Sequence, residues 1–101
     1  MTRLQDSHRR INAEIAQEKA AALGRAGERL EAALAHVSAL GRQLDLAPDP
    51  NEHARLLGEY ESARRRAIHA RLALVIQREA LGLRHHRIVE QKFPEPPRRA
   101  R

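Results

Sequence analysis

Residues 47–51, Ala-Pro-Asp-Pro-Asn, interrupt a chain whose remaining sequence is patterned as helix almost from end to end. Proline has no amide hydrogen and its ring clashes with the preceding turn, so Pro48 predicts the end of the incoming helix. Asp49 is a good N-cap, Pro50 suits the first helical position, and Glu52 has the spacing of a capping box. Because stop and start lie so close together, the sequence predicts an all-α fold built on a long antiparallel two-helix hairpin.

Both arms carry apolar residues at helical spacing. The first arm, about residues 5–46, repeats them every seven positions, and Ile11 and Ile15 extend this stripe towards the N-terminus. The second arm, about residues 50–82, is apolar over more than half its circumference, which favours contact from two sides. The residues predicted to mediate self-association are Leu23, Leu30, Val37, Leu44, Leu56, Tyr60, Ile68, Leu72, Val75 and Ile76.

Folding the arms about Asp49 predicts that facing residues have numbers that sum to about 98. Leu30 then faces Ile68, Ala26 faces Leu72, Leu23 faces Val75, and Ile11 lies near Arg87 or Ile88. The arms are nearly equal in length in this register, so apolar positions meet along the whole hairpin.

Gly82, between two leucines, has the pattern of a helix C-terminus with glycine in the left-handed conformation. A break there predicts a short third helix at about residues 84–92; the alternative is a second arm that continues straight through. Phe93-Pro94 ends the helical part, so residues 1–93 form the hairpin domain. Residues 94–101 are predicted to be an extended, mobile tail rich in proline and arginine.

The composition limits the core that one chain can build. At 101 residues there is room for one domain, and although 42% of residues are hydrophobic, the chain has one Phe, one Tyr and no Trp. Two helices leave much of each apolar face in water. A second copy is the simplest cover, so the sequence predicts a homodimer that forms a four-helix bundle with coiled-coil-like packing.

The sequence also indicates the cellular compartment in which the protein is expected. It contains no cysteine, so no disulfide or thiolate chemistry is expected. Residues 1–6 lack the apolar run of a secretion signal, and the longest apolar run, residues 72–76, is too short to cross a bilayer. These features predict a cytoplasmic protein without membrane contact.

A formal net charge of +6 raises the question of nucleic acid. Arg64, Arg71 and Arg78 repeat at sevens along the second arm, and Arg65 and Arg66 widen this line at one end. Together with the arginines of the tail, Arg98, Arg99 and Arg101, these five arginines could follow a phosphate backbone. Flanking salt bridges to glutamates of the first arm are the favoured alternative, because no recognition helix or aromatic platform accompanies the arginines.

No catalytic, cofactor-binding or metal site is predicted. No two histidines have the spacing of three or four residues that places ligands on one helical face. Residues 9–15 loosely resemble the opening pattern of helical-bundle chorismate mutases. However, Asn12 stands where those enzymes have aspartate, and their mid-chain lysine is absent. A non-enzymatic protein is therefore expected.

Residues 18–27 (EKAAALGRAG) and 77–87 (QREALGLRHHR) resemble a family of small uncharacterised bacterial helical proteins, carried as a domain of unknown function. The resemblance implies a helical hairpin in a bacterial cytoplasm, and it implies no activity. The predicted function is a structural or regulatory protein–protein interaction module that self-associates. An unidentified protein partner and nucleic acid are the alternative partners.

Overall fold

A computed structural model describes residues 2–99 of the chain. Within this range it has three helices, α1 (Arg3–Leu46), α2 (Pro50–Ala80) and α3 (Arg87–Lys92), and no strand. The two long helices pack against each other in a molecule of 73 × 21 × 15 Å. The predicted all-α hairpin with a short third helix is confirmed. The four-helix bundle needs a second chain and stays a prediction. Met1 and the last two residues of the predicted tail lie outside the described range.

The reversal between α1 and α2 follows from local chemistry. Asp49 is extended, and its Oδ1 accepts a hydrogen bond of 2.9 Å from the Glu52 amide; Pro50 occupies the first helical turn. The Glu52 carboxylate bonds Arg55 instead of completing a capping box, and this bond lowers the pKa of Glu52 from its usual value. The predicted turn is therefore correct, with an aspartate cap in place of the full box.

The end of α2 is set by Gly82, whose φ of 85° is the left-handed conformation that glycine adopts without strain. The Gly82 amide donates to Glu79 O at 2.9 Å and the Leu83 amide donates to Arg78 O at 3.0 Å, which is the Schellman pattern. The predicted break is thus present. The chain runs without regular structure to His86 before α3 begins.

Two apolar clusters hold the hairpin together. The larger cluster lies next to the turn, and its buried members are Val37, Leu40, Leu44, Leu56, Leu57, Tyr60, Ala63 and Ala67. The smaller cluster lies further from the turn and contains Ala26, Leu30, Leu74 and Val89. Val89 belongs to α3, so the short third helix folds back onto the hairpin and closes this end of the core.

The predicted register is correct only in part: Leu23 and Val75 pack against the same cluster, whereas two other predicted pairs do not form. Leu74, not Leu72, packs in the cluster that contains Ala26, and Leu72 is 59% exposed. Two residues correspond to about 200° of rotation, so a small shift in register exchanges the inner and outer faces of a helix. The predicted contact of Ile11 with Arg87 or Ile88 is also absent, because α3 packs through Val89 against Ala26 and Leu30, much further along α1 than Ile11. The cause is that α2 ends at Ala80 and does not continue beside the start of α1.

Candidate interaction surfaces

The first part of α1 has no helix packed beside it within the described residues 2–99. With 44 residues in α1 and 31 in α2, the two helices are about 66 Å and about 46 Å long at 1.5 Å per residue. Every residue from 3 to 20 is exposed except the half-buried Asp6, and the first buried residue of α1 is Ala26. Residues 3–20, here named the overhang, therefore project from the open end of the hairpin.

The overhang carries a defined apolar stripe. Leu4, Ile11 and Ile15 are 66%, 52% and 42% exposed, and steps of seven and four residues place them on one helical face. Ile15 lies about three turns before Ala26, so the stripe continues the face that packs against α2 further along the helix. The overhang is therefore an amphipathic helix whose apolar side has no intrachain cover.

A second exposed apolar surface lies on α2. Leu72 and Ile76 are largely exposed and Ile68 is half-buried; their spacing of four residues aligns them. A shallow groove of about 270 Å³ runs beside these residues and is lined by Ile68, Leu72 and Val75 together with Arg71 and Glu95. Ile68, Leu72 and Ile76 are named the outer stripe of α2.

The residues predicted for self-association fall into three groups. Leu30, Val37, Leu44, Leu56 and Tyr60 are buried between the two arms of one chain. Leu23, Ile68 and Val75 are half-buried, whereas Leu72 and Ile76 are exposed. Leu4, Ile11 and Ile15 were not among the residues predicted for self-association, because the predicted register paired the two arms over their full length within one chain. The exposed candidates are consequently the overhang and the outer stripe.

The arginines spaced at sevens on α2 bind the C-terminal part of the same chain. Arg64 Nε donates to Pro96 O at 2.8 Å, and its Nη2 lies 3.1 Å from Glu95 Oε1. Arg71 Nε donates to Phe93 O at 3.0 Å, and Arg78 Nη2 donates to His85 O at 2.9 Å. The first-arm glutamates expected to pair with these arginines make no ion pair with them in the described part of the chain.

Residues 93–99, here named the strap, are extended and lie along α2. Tyr60 Oη donates to Pro97 O at 2.6 Å, and Arg99 Nη2 donates to Asp45 Oδ1 at 2.5 Å. Pro96 is buried. The α2 side chains offer donors to strap carbonyls, and prolines bring no amide hydrogen that would need an acceptor. The sequence predicted a mobile tail here, whereas the structure shows residues 93–99 anchored by hydrogen bonds.

Arg65 and Arg66, the other two arginines predicted to contact nucleic acid, remain exposed on α2. The strap brings Arg98 and Arg99 next to Arg65, around a cleft of about 390 Å³ that Arg64 and Glu61 also line. The nucleic-acid alternative grouped the α2 arginines with the arginine tail, but the sequence could not show that the strap places Arg98 and Arg99 beside Arg65, more than thirty positions away. The basic surface is therefore formed by α2 and the strap together.

Over residues 2–99, no helix combines the length and apolarity needed to span a bilayer. The same range holds no group of three or more metal-ligating side chains.

The fold and surfaces define an all-α helical hairpin closed by a strap and extended by an unpaired helical arm. In comparisons with known proteins, no family model, curated protein or solved structure matches the chain. The resemblance to the bacterial helical family therefore stays a prediction.

Proposed function

We propose that the protein is a self-associating structural or regulatory module, non-enzymatic and cytoplasmic, in which two hairpins pack together as a dimer. The overhang of each copy lies against the outer stripe of α2 in the other copy. The single observation that supports this most is the exposed stripe of Leu4, Ile11 and Ile15 on a helical arm without intrachain packing.

The overhang continues α1 from its packed part, so it needs no nucleus of its own, but its apolar face lacks the packing from which most helix stability in proteins comes. The Thr2–Gln5 capping box satisfies amides at its first turn, but it does not cover the apolar stripe. Burial of that stripe against another helix is the main stabilisation open to it.

The outer stripe of α2 fits the overhang in position and spacing. If two hairpins meet with their open ends overlapping, α1 of one copy runs parallel to α2 of the other. Ile11 and Ile15 are four residues apart on α1, and Leu72 and Ile76 are four residues apart on α2. An offset that sets Ile11 beside Leu72 therefore also sets Ile15 beside Ile76. Leu4 then lies within about one turn of Ile68. A two-fold axis repeats these contacts, so one geometry covers both overhangs and both outer stripes.

This arrangement accounts for most of the exposed apolar surface. Among residues 2–99, the large hydrophobic residues with high exposure are Leu4, Ile11, Ile15, Leu46, Leu72, Ile76, Leu83 and Ile88. The proposed contact covers five of these eight in each copy. Contiguous apolar surface of this kind is typical of protein–protein contact sites. The overlapping segments make a four-helix bundle in the centre of the dimer, consistent with the sequence-based expectation.

The mass of the protein in solution tests the proposal. We expect the wild-type chain to sediment at twice the mass of one chain, and Ile11→Asp/Ile15→Asp or Leu72→Asp to sediment as single chains. Each substitution places a charge in the proposed contact without disturbing the intrachain core. Leu46→Asp is the matched control, because Leu46 is 82% exposed at the turn and lies outside the contact.

A wild-type chain that is monomeric at tens of micromolar would contradict self-association and leave an unidentified protein as the partner of the overhang. Equal loss of mass in the Leu46→Asp control would contradict the assignment of the surface. The alternative function is a nucleic-acid contact through the α2 arginines Arg64, Arg65, Arg66, Arg71 and Arg78. A contact that uses all five is not favoured, because three of them bind the C-terminal part of the chain.

A further inference from the structure

Docking of the strap assembles a basic cleft from two distant parts of the sequence. Arg64 and Arg65 come from α2 and Arg98 and Arg99 from the strap, and Glu61 is the one carboxylate in the lining of this cleft of about 390 Å³. Carbonyl contacts from Pro96 and Pro97 to α2 fix the strap immediately before these two arginines. Arg98 is therefore placed beside Arg65 by strap contacts that involve neither of these two side chains.

Two of the four guanidinium groups are committed to intrachain partners. Arg64 binds Pro96 O and Glu95, and Arg99 binds Asp45 and lies 5.8 Å from the centre of the Tyr60 ring. Among residues 2–99, neither Arg65 nor Arg98 has a side-chain hydrogen bond or an ion pair. Arg65 and Arg98 are thus the two cations of the cleft that can bind an external anion.

A second cleft adjoins the first and shares Arg65. It has a volume of about 410 Å³ and is lined by Ser62, Arg65, Arg66 and His69. A guanidinium presents a planar fork of donors that matches phosphate oxygens. Because the two clefts are separated by one arginine side chain, they suit successive phosphates of one backbone better than a single phosphate ion.

We propose that these two clefts form a binding surface for the phosphate backbone of duplex nucleic acid, contacted by Arg65, Arg66 and Arg98. The elongated shape and the net charge of +6 support long-range attraction to such a polyanion. The nearby Tyr60 is buried and holds the strap, so no aromatic platform for unpaired bases lies at this site. The proposal is independent of self-association.

The test is the salt dependence of binding to a short labelled DNA duplex, measured by fluorescence anisotropy with the full chain. We expect binding at about 50 mM salt that weakens steeply by about 200 mM, because each phosphate contact releases counterions. Arg65→Glu/Arg98→Glu should reduce the magnitude of the log–log salt slope by about 2 and weaken binding at least about tenfold.

The matched control is Arg25→Glu/Arg42→Glu, which changes net charge equally at exposed arginines of α1. If this control weakens binding as much as the cleft variant, attraction is a property of net charge and the proposal is wrong. Absence of duplex binding at low salt also overturns it. So does tighter binding of single-stranded DNA, of inorganic phosphate or of anionic lipid vesicles than of the duplex.

Discussion

The two ends of α1 differ in one respect, which is whether α2 runs beside them. Next to the turn, Val37, Leu40 and Leu44 are each 3% exposed, because α2 covers them. In the overhang, Ile11 and Ile15 occupy the same kind of position in the helical repeat and are about half exposed. Burial in this hairpin is therefore decided by the length of the partner helix, which Gly82 sets, as much as by the apolar pattern.

The largest difference in the free energy of unfolding is expected between the variants Leu30→Asp and Ile11→Asp. Leu30 is fully buried in the intrachain core, so an aspartate there loses apolar burial and places an unpaired charge in the core. We expect a loss of about 4 kcal/mol or more in the free energy of unfolding, enough to unfold a small domain.

Ile11→Asp should lower the free energy of unfolding of the hairpin far less, and its main effect should be to weaken dimerisation. Urea denaturation followed by circular dichroism measures both variants at a concentration where the protein is monomeric. Similar losses of stability in the two variants would show that the overhang packs within its own chain.

The next effect concerns the cause of the difference in helix length. Gly82→Ala places a Cβ on a residue with a φ of 85°, which should cost about 1 kcal/mol of unfolding free energy. If α2 continued through residue 82 in the variant, the strain would be relieved and residues 83–92 would lie beside the overhang. We therefore expect slower amide hydrogen exchange in residues 10–18 of the variant, and unchanged exchange there would argue against Gly82 as the determinant of the overhang.

A smaller effect is expected in the strap. Tyr60→Phe removes the donor to Pro97 O while keeping the buried ring, so the free energy of unfolding should fall by about 0.5–1.5 kcal/mol. Thermal unfolding measures this change, and the overhang should be unaffected. A variant as stable as the wild type would mean that the strap does not depend on this hydrogen bond.

The smallest effect should appear at the start of α2 on acidification. The hydrogen bond from Arg55 lowers the pKa of Glu52 in the folded state, so its contribution to stability is fully present above the ordinary pKa of an unfolded glutamate and is lost as the pH falls through the lower folded pKa. Both side chains are exposed, so the change should be slight. An acid titration of wild type and Glu52→Gln by circular dichroism tests it: only the wild type should lose helix stability through this contact.

Local signals made part of this structure predictable. Pro48, Asp49 and Pro50 define the turn within a few residues, and Gly82 defines the end of α2, because capping and backbone strain depend on near neighbours in sequence. The existence of exposed apolar surface also followed from composition, since two helices cannot enclose all their apolar residues.

Long-range contacts were not predictable in the same way. Leu72 and Leu74 are both apolar, and only the packed register decides that Leu74 is buried. The carbonyl partners of Arg64 and Arg71 lie more than twenty residues away, in a segment whose prolines suggested a free tail. Pairing of the arms along their full length failed because the short α3 turns back onto the core.

The contact between the overhang and the outer stripe can be tested directly, because the chain has no cysteine of its own. Chains carrying Ile11→Cys and chains carrying Leu72→Cys are mixed and oxidised, with Ile11→Cys and Leu46→Cys as the matched control. Disulfides require Cα atoms within about 7 Å, so only neighbouring positions of two copies should cross-link efficiently. The account predicts mixed disulfide dimers for Ile11 with Leu72 and few for Ile11 with Leu46; equal yields of the two, or none of either, would contradict it.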